Sequence, residues 1–294
     1  DWGFRGAPGR RSVLRPVPYA PTVDLCQSPG TKWGMDLQET RAVVTGGSRG
    51  IGEAICLELA GRGAEVAIAD IDEDGMADTV DRIESETDST AEWYYLDLTD
   101  PALVDERTDQ ILDDLGGVEI LVNNSGIMGP TAPLEDVTVD EWEETMDVNV
   151  RGQFLMCRAL LPTMKEAGFG RIVNIASITG KNPLYNRAPY AVSKMGVIGL
   201  TRTLADEVGE HDVNVNAICP GSVAGPRIER VFEGQAEARD VPYEQVVEEA
   251  EAGSPRGELV QPEDVAQLAG FLCSPDADRI PGQDINVSAG RVMF

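Results

Sequence analysis

The sequence predicts an α/β fold, a single sheet of parallel strands joined through helices. Three observations point there. Seven short runs rich in β-branched residues alternate with six longer stretches of helical character. The strand ending RAVVTGG runs straight into a glycine-rich turn, TGGSRGIG, and then a helix. After residue 35 no repeat or internal linker interrupts the alternation, so one domain at 35–294 is expected.

The elements follow in order. Strands are expected at 41–45, 65–70, 92–97, 119–123, 171–176, 214–219 and 283–287. Helices are expected between them at 50–62, 75–86, 101–115, 139–167, 188–209 and 262–273. A helix between successive strands implies right-handed crossovers and a parallel sheet. The last helix opens on Gln261-Pro262-Glu263-Asp264, with proline in the first turn and acids at the positive end of the dipole. Residues 226–257 break the alternation and are rich in Glu, Arg and Gly. They suit a small, mobile helical lid over the carboxyl ends of the strands. Residues 1–34 include ten Gly or Pro and sustain no period, so they read as a flexible N-terminal extension, with Met35 a candidate first residue.

Charge and composition narrow the function classes. The chain of 294 residues carries a formal charge of −27. Residues 1–34 hold five basic and two acidic groups, which leaves −30 on the remainder. Four lysines stand against twenty arginines. Self-repulsion on this scale suits a cytoplasmic protein of a salt-loving organism, with an ordinary acidic cytosolic protein as the alternative. Nucleic acid and anionic membrane are poor partners for such a surface. No apolar run approaches the ~20 residues that span a bilayer. Cys26, Cys56, Cys157, Cys219 and Cys273 are dispersed and read as reduced core thiols. The single histidine, His211, cannot build a His-rich metal site and reads as a surface-loop residue; no metal is expected.

Tyr190 and Lys194 carry the chemistry. Four residues apart on a helix, they project from one face, which sets an ammonium beside a phenol. A free phenol has a pKa of about 10 and is a poor base near neutrality. A unit charge ~4 Å away, at an effective dielectric of ~20, is worth about 4 kcal/mol, or roughly three pKa units. That brings the phenol into the range where acid–base catalysis works. Ser177, thirteen residues upstream of the tyrosine, offers a hydroxyl to hold a substrate oxygen.

The glycine turn supplies the second signal. Gly46, Gly50 and Gly52 let a backbone approach a pyrophosphate, whose charge is favoured at a helix N-terminus. Strand before, helix after and an acid ending the next strand satisfy the context such a turn needs. That acid, Asp70, can accept both ribose hydroxyls and would repel a 2′-phosphate, with Asp72, Glu73 and Asp74 adding to the repulsion. NAD is therefore expected over NADP, although Arg49 could reach a phosphate. Asp70 could instead initiate a turn. Asp97 could hold the adenine amine, or cap and turn the chain ahead of the next helix.

Together these pieces resemble the short-chain dehydrogenase/reductase family over nearly all of residues 38–294. The landmarks are TGGSRGIG at 45–52, Asp70, Asp97, NNSG at 123–126, Asn149 in DVNVRG, Ser177 in NIASITG, YAVSK at 190–194 and PGSV at 220–223. The resemblance implies a Rossmann-type doubly wound sheet of seven parallel strands ordered 3-2-1-4-5-6-7. It implies a general acid/base role for Tyr190, with Lys194 lowering its pKa and binding the nicotinamide ribose, and Ser177 holding the reacting oxygen. Asn149 would join Lys194 through a water in a proton relay, or would cap or kink its long helix. The dinucleotide would be held by Gly46, Ser48, Arg49, Gly50, Ile51 and Gly52, by Asp70 and Ile71, by Asp97 and Leu98, by Asn124, Ser125 and Gly126, by Tyr190 and Lys194, and by Pro220, Gly221 and Val223.

Two positions depart from the family pattern. Ser125 stands where alanine is common, and Gly225 stands where many members carry a threonine that bonds the carboxamide. The implied reaction interconverts a secondary alcohol and a ketone with NAD. Pocket positions are expected at Met128, Ile178, Lys181, Asn182, Tyr185 and Arg227. The ending GQDINVSAGRVMF is similar to that of sugar-alcohol and sugar-acid dehydrogenases in the family, which points to a polyol, sugar or sugar acid. A 3-oxoacyl-thioester reductase is the runner-up, and a catalytically silent dinucleotide sensor is a reading from another class. The resemblance also implies a homotetramer built through helices 139–167 and 188–209 and the C-terminal strand region.

Overall fold

The computed structural model describes residues 36–294; the extension at 1–34, with Cys26, and Met35 lie outside the described residues. The chain runs β1 (Arg41–Thr45), α1 (Gly50–Gly61), β2 (Glu65–Asp70), α2 (Glu73–Glu86), β3 (Ala91–Tyr95), α3 (Pro101–Leu115) and β4 (Ile120–Asn123). It continues through α4 (Val139–Met146), α5 (Gly152–Ala167), β5 (Gly170–Ile175), α6 (Ala188–Val208) and β6 (Val213–Pro220). Last come α7 (Pro226–Arg239), α8 (Tyr243–Ala252), α9 (Pro262–Cys273) and β7 (Asp284–Val287). All seven strands are parallel and lie in the order β3-β2-β1-β4-β5-β6-β7, as the resemblance implies.

The alternation of side chains along each strand fills two apolar layers. Ala42 and Val44 of β1 face Ile55 and Leu59 of α1, Met76 and Ile83 of α2 and Val265 and Leu272 of α9. Val43, between them, faces the opposite layer, where Val104 of α3, Leu155 and Leu160 of α5 and Val208 of α6 pack. Burial on both sides is why the strands read as nearly continuous apolar runs. The chain turns one way from β1 to β3 and the other way from β4 to β7. A crevice therefore opens at the carboxyl ends of β1 and β4, where ligands sit in sheets of this kind.

The departures from expectation have local causes. The third strand ends at Tyr95 instead of residue 97, because Asp97 Oδ1 accepts from the Thr99 amide (2.8 Å) and hydroxyl (2.7 Å) and bends the chain ahead of α3. The second helix begins at Glu73, since the Asp72 side chain accepts from the Gly75 amide and caps it. The helix expected at 139–167 is interrupted by a π turn at Asp147–Arg151, which separates α4 from α5. Residues 226–257 carry α7 and α8, which share a small apolar cluster of Phe232, Ala236, Val246 and Ala250.

The four described cysteines are buried and unpaired. Burial pushes the Cys157 and Cys273 thiols up to about 12 and Cys219 up to about 11, which keeps them as inert thiols. No described helix is long and apolar enough to cross a membrane.

Candidate active site

A cleft of about 1560 Å³ opens along the carboxyl ends of the strands. Its floor is the glycine turn between β1 and α1. Gly46 has φ +68°, a conformation that residues with a Cβ rarely adopt. A Cβ on Gly52 would overlap the Gly46 carbonyl oxygen, so only glycine lets α1 start against the turn. Gly50 has open space where its Cβ would point. The turn is locked from β4: Asn124 Nδ2 donates to the carbonyls of Thr45 (3.1 Å) and Gly46 (2.8 Å). Thr45 Oγ1 in turn accepts from the amides of Asn124 and Ser125, both at 3.1 Å.

Asp70 ends β2 on the cleft wall. Its carboxylate accepts from the amides of Ser48 (3.2 Å), Ile71 (2.7 Å) and Asp72 (3.3 Å), which fixes it against the turn. Arg49 stands across from it in an exposed 3.5 Å pair with Asp72. A pair this long and wet holds the guanidinium loosely. Leu98, Ile51, Pro220, Gly221 and Val223 also line the cleft, as do the remaining residues assigned to the dinucleotide. Gly221 donates to the Val287 carbonyl at 2.8 Å and is held by β7.

The chemical end of the cleft gathers Ser177, Tyr190 and Lys194. Ser177 follows β5, and its hydroxyl accepts from the Thr179 amide (3.1 Å). Lys194 is buried, donates to the Ile175 carbonyl at 2.8 Å, and places Nζ 5.8 Å from the centroid of the Tyr190 ring. Burial alone would raise the Tyr190 pKa. The charges of Lys194 and Arg227, the polar Ser177 hydroxyl and the charge of Arg187 outweigh it, and the phenol lies below its ordinary value of 10. Burial also lowers the Lys194 ammonium, against the attraction of Tyr190.

Asn149 lies one layer behind the cleft wall, in the π turn between α4 and α5. Its amide closes on Ile127, accepting from the Ile127 nitrogen (2.7 Å) and donating to the Ile127 oxygen (2.9 Å) and to Ser193 Oγ (3.0 Å). A Cβ on Gly126 would stand 2.9 Å from Asn149 Oδ1 and 3.3 Å from Lys194 Nζ, so the absent side chain leaves these two groups facing across one gap. Insertion of a π turn into an α-helix is common where a side chain must be re-aimed at a functional site.

Of the expected pocket positions, Met128, Ile178, Asn182, Tyr185 and Arg227 line the cleft. Lys181 does not. Its ammonium is drawn away to β7, where it donates to the Asp284 carbonyl (2.6 Å) and Asn286 Oδ1 (2.7 Å) and pairs with the Asp284 carboxylate (2.6 Å). Sequence reasoning also missed Arg187. This residue precedes α6, is 2% exposed, and places its guanidinium carbon 5.2 Å from the Tyr190 ring centroid. Asn186 before it adopts φ +58°, in the left-handed region. No local signal marked it: Arg187 precedes the first turn of α6 and is held by Met128 and Thr131, more than fifty residues upstream.

Among the described residues no group of three or more His, Cys, Asp or Glu side chains could hold a metal ion.

Comparison with known proteins agrees with this geometry. Residues 46–291 match a family model described as enoyl-(acyl carrier protein) reductase. The chain is 36% identical over 251 residues to D-beta-hydroxybutyrate dehydrogenase of Rhizobium meliloti (strain 1021), covering 85% of this chain and 97% of that protein. The structure resembles NAD+-bound xylitol dehydrogenase with a TM-score of 0.83 at 28% identity, covering 88% of this chain and all (100%) of the other. It also resembles actinorhodin polyketide ketoreductase with NADPH, with a TM-score of 0.82 at 31% identity, covering 87% and 98%. The motifs, the strand order and these matches agree, and the chain belongs to the short-chain dehydrogenase/reductase family.

Proposed function

We propose that the protein interconverts a secondary alcohol and a ketone with NAD(H), acting on a polyol, sugar or sugar acid. The observation that carries this reading is the Lys194 ammonium held 5.8 Å from the centroid of the Tyr190 ring in the cleft that the glycine turn also lines. The cleft fits that group, because glycine at 46 and 52 lets the turn pack closely on Asn124 and on the start of α1, which leaves bare backbone at a helix N-terminus facing the cleft. Gly46, Ser48, Gly50 and Gly52 would hold the pyrophosphate, Asp70 the adenosine ribose, and Lys194 the nicotinamide ribose. When bound, the nicotinamide supplies the hydride acceptor or donor.

The chain's own residues handle the proton. Tyr190, as phenolate, takes the proton of the substrate hydroxyl in oxidation; as phenol it returns one to the forming alkoxide in reduction. The lowered pKa makes the phenolate more accessible than in a free tyrosine. Ser177 Oγ holds the reacting oxygen, and Asn149 and Lys194, facing across Gly126, carry protons towards solvent. The helices α7 and α8 act as a lid that excludes water during reaction.

Asp70, which ends β2 on the cleft wall, supports NAD, since a carboxylate there would repel a 2′-phosphate. The second reading is a 3-oxoacyl-thioester reductase using NADPH. Supporting it are the loosely held Arg49 and the likeness to a ketoreductase with NADPH. A homotetramer is the assembly expected of such an enzyme, and exposed Phe154 on α5 and Val192 and Met195 on α6 are suited to a buried face between copies. A cytoplasmic, salt-adapted setting accounts for the charge of −27.

Fluorescence titration with NADH, followed by turnover on a panel of polyols, sugar acids and 3-oxoacyl thioesters, tests the proposal. Turnover of a polyol or sugar acid with NAD supports it, and turnover of the thioesters alone with NADPH supports the second reading. NADH binding without turnover of any alcohol or ketone would instead indicate a dinucleotide sensor.

A further inference from the structure

The cations of this acidic protein are distributed unevenly. Most of the described arginines are ion-paired; of the five with no carboxylate within 4 Å among the described residues, Arg187, Arg227, Arg230 and Arg291 are on the cleft wall and Arg279 is not. Arg187 is the extreme case. A guanidinium has five N–H donors. Arg187 directs one to the Met128 carbonyl (2.6 Å) and one to Thr131 Oγ1 (3.1 Å), while its buried Nε has no acceptor. Its anionic neighbour is Tyr190, and only when the phenol is ionised; with the phenol protonated, this buried, permanently charged group has no counter-ion, which is costly. Arg227 adds to the cost, because its charge disfavours that of Arg187.

Arg187 and Arg227 line the same cleft and both charges act on Tyr190; while that phenol is protonated, the two guanidinium groups call for another anion. The wall's carboxylates do not supply it. Asp70 and Asp97 stand at the β2 and β3 ends, Glu249 is taken by Arg239, and Glu144 pairs with neither guanidinium. The start of α7 points the same way: Arg227 occupies its first turn, and no side chain caps that terminus. The bound dinucleotide would lie over the glycine turn, whereas Arg187 flanks Tyr190 on the side of Met128 and Thr131, where the substrate must sit.

We infer that the substrate carries a free carboxylate held by Arg187 and Arg227, so that the group oxidised at Tyr190 is the hydroxyl of a short hydroxy acid. This rests on the oxidoreductase reading above and deepens it. Proximity limits the length, since the Arg187 guanidinium and the phenol ring are in direct contact distance (5.2 Å). The carboxylate itself takes no part in the reaction. A neutral polyol or a thioester leaves both guanidinium groups without a carboxylate, which is how the site discriminates.

The test uses the full chain saturated with NAD+, at matched ionic strength, titrated calorimetrically with malonate and with its neutral counterpart malonamide. Wild type should bind malonate at least roughly tenfold more tightly, the worth of one charge-assisted hydrogen bond. Arg227→Gln and Arg187→Gln should each reduce that preference roughly tenfold or more, and Arg187→Lys should retain part of it. Arg227 is exposed, so its variant decides the matter should the buried Arg187→Gln substitution prevent folding. Equal affinity for the two probes, or a preference unchanged in Arg227→Gln, overturns the carboxylate site while leaving the oxidoreductase reading intact. Absence of NAD+ binding would bring down both.

Discussion

Lys194 Nζ stands 5.8 Å from the centroid of the Tyr190 ring and is pinned at 2.8 Å to the Ile175 carbonyl at the end of β5. The sheet thus fixes the ammonium, and α6 fixes the phenol relative to it. A charge held by a strand end costs no reorganisation when the phenol ionises.

Tyr190→Phe removes the acid–base group and leaves the cleft's shape. Turnover should fall by roughly 10²–10⁴, the usual share of acid–base catalysis. NADH affinity, read by fluorescence, should change little. Wild-type turnover in this variant would remove the phenol from the mechanism.

Gly52→Ala tests the cradle. The new Cβ would overlap the Gly46 carbonyl oxygen, so the turn or α1 must shift. Overpacking of this kind costs about 1–3 kcal/mol. The melting temperature should drop, and NADH affinity should fall at least roughly tenfold, or about 1.4 kcal/mol. An unaltered Kd would mean that the turn does not hold the dinucleotide.

Asp70→Ala tests the preference for NAD. Removing the carboxylate relieves repulsion of a 2′-phosphate and leaves Arg49 free to meet it. The ratio of kcat/KM for NAD to that for NADP should fall about tenfold or more, roughly 1.4 kcal/mol of discrimination. A ratio that stays put would assign the preference elsewhere in the cleft.

Much of this was legible in the sequence. RAVVT and EVAIAD read as strands because both of their faces are buried, and β1 and β2 begin and end where those runs do. Gln261 and Asp264 marked the start of α9, where they form a reciprocal cap. The Tyr190–Lys194 spacing was readable because helical geometry makes the two neighbours. Other features were set by distant partners. A kink at Asn149 was one of two readings of that residue, but its form, a π turn, depends on the amide closing on Ile127 from another element. Lys181 read as a pocket cation because Asp284, its partner, lies 103 residues away. Arg187 was overlooked because its role depends on burial, which local sequence does not encode.

Salt should matter to stability. With −30 spread over residues 35–294, repulsion acts over ~30 Å at 0.01 M salt but only ~3 Å at 1 M. The melting temperature should rise as KCl is increased from dilute to molar. A flat response would identify an ordinary acidic protein.

The most direct measurement is the pH dependence of kcat/KM for alcohol oxidation in wild type and in Lys194→Met. Tyr190 reacts as phenolate, so the rate should rise with pH and level off above its pKa. In wild type that limb should lie below 10, because the folded-state phenol is lowered by Lys194 and its cationic neighbours. In Lys194→Met it should move up towards the free value of about 10. A limb at the same pH in both proteins would contradict the account.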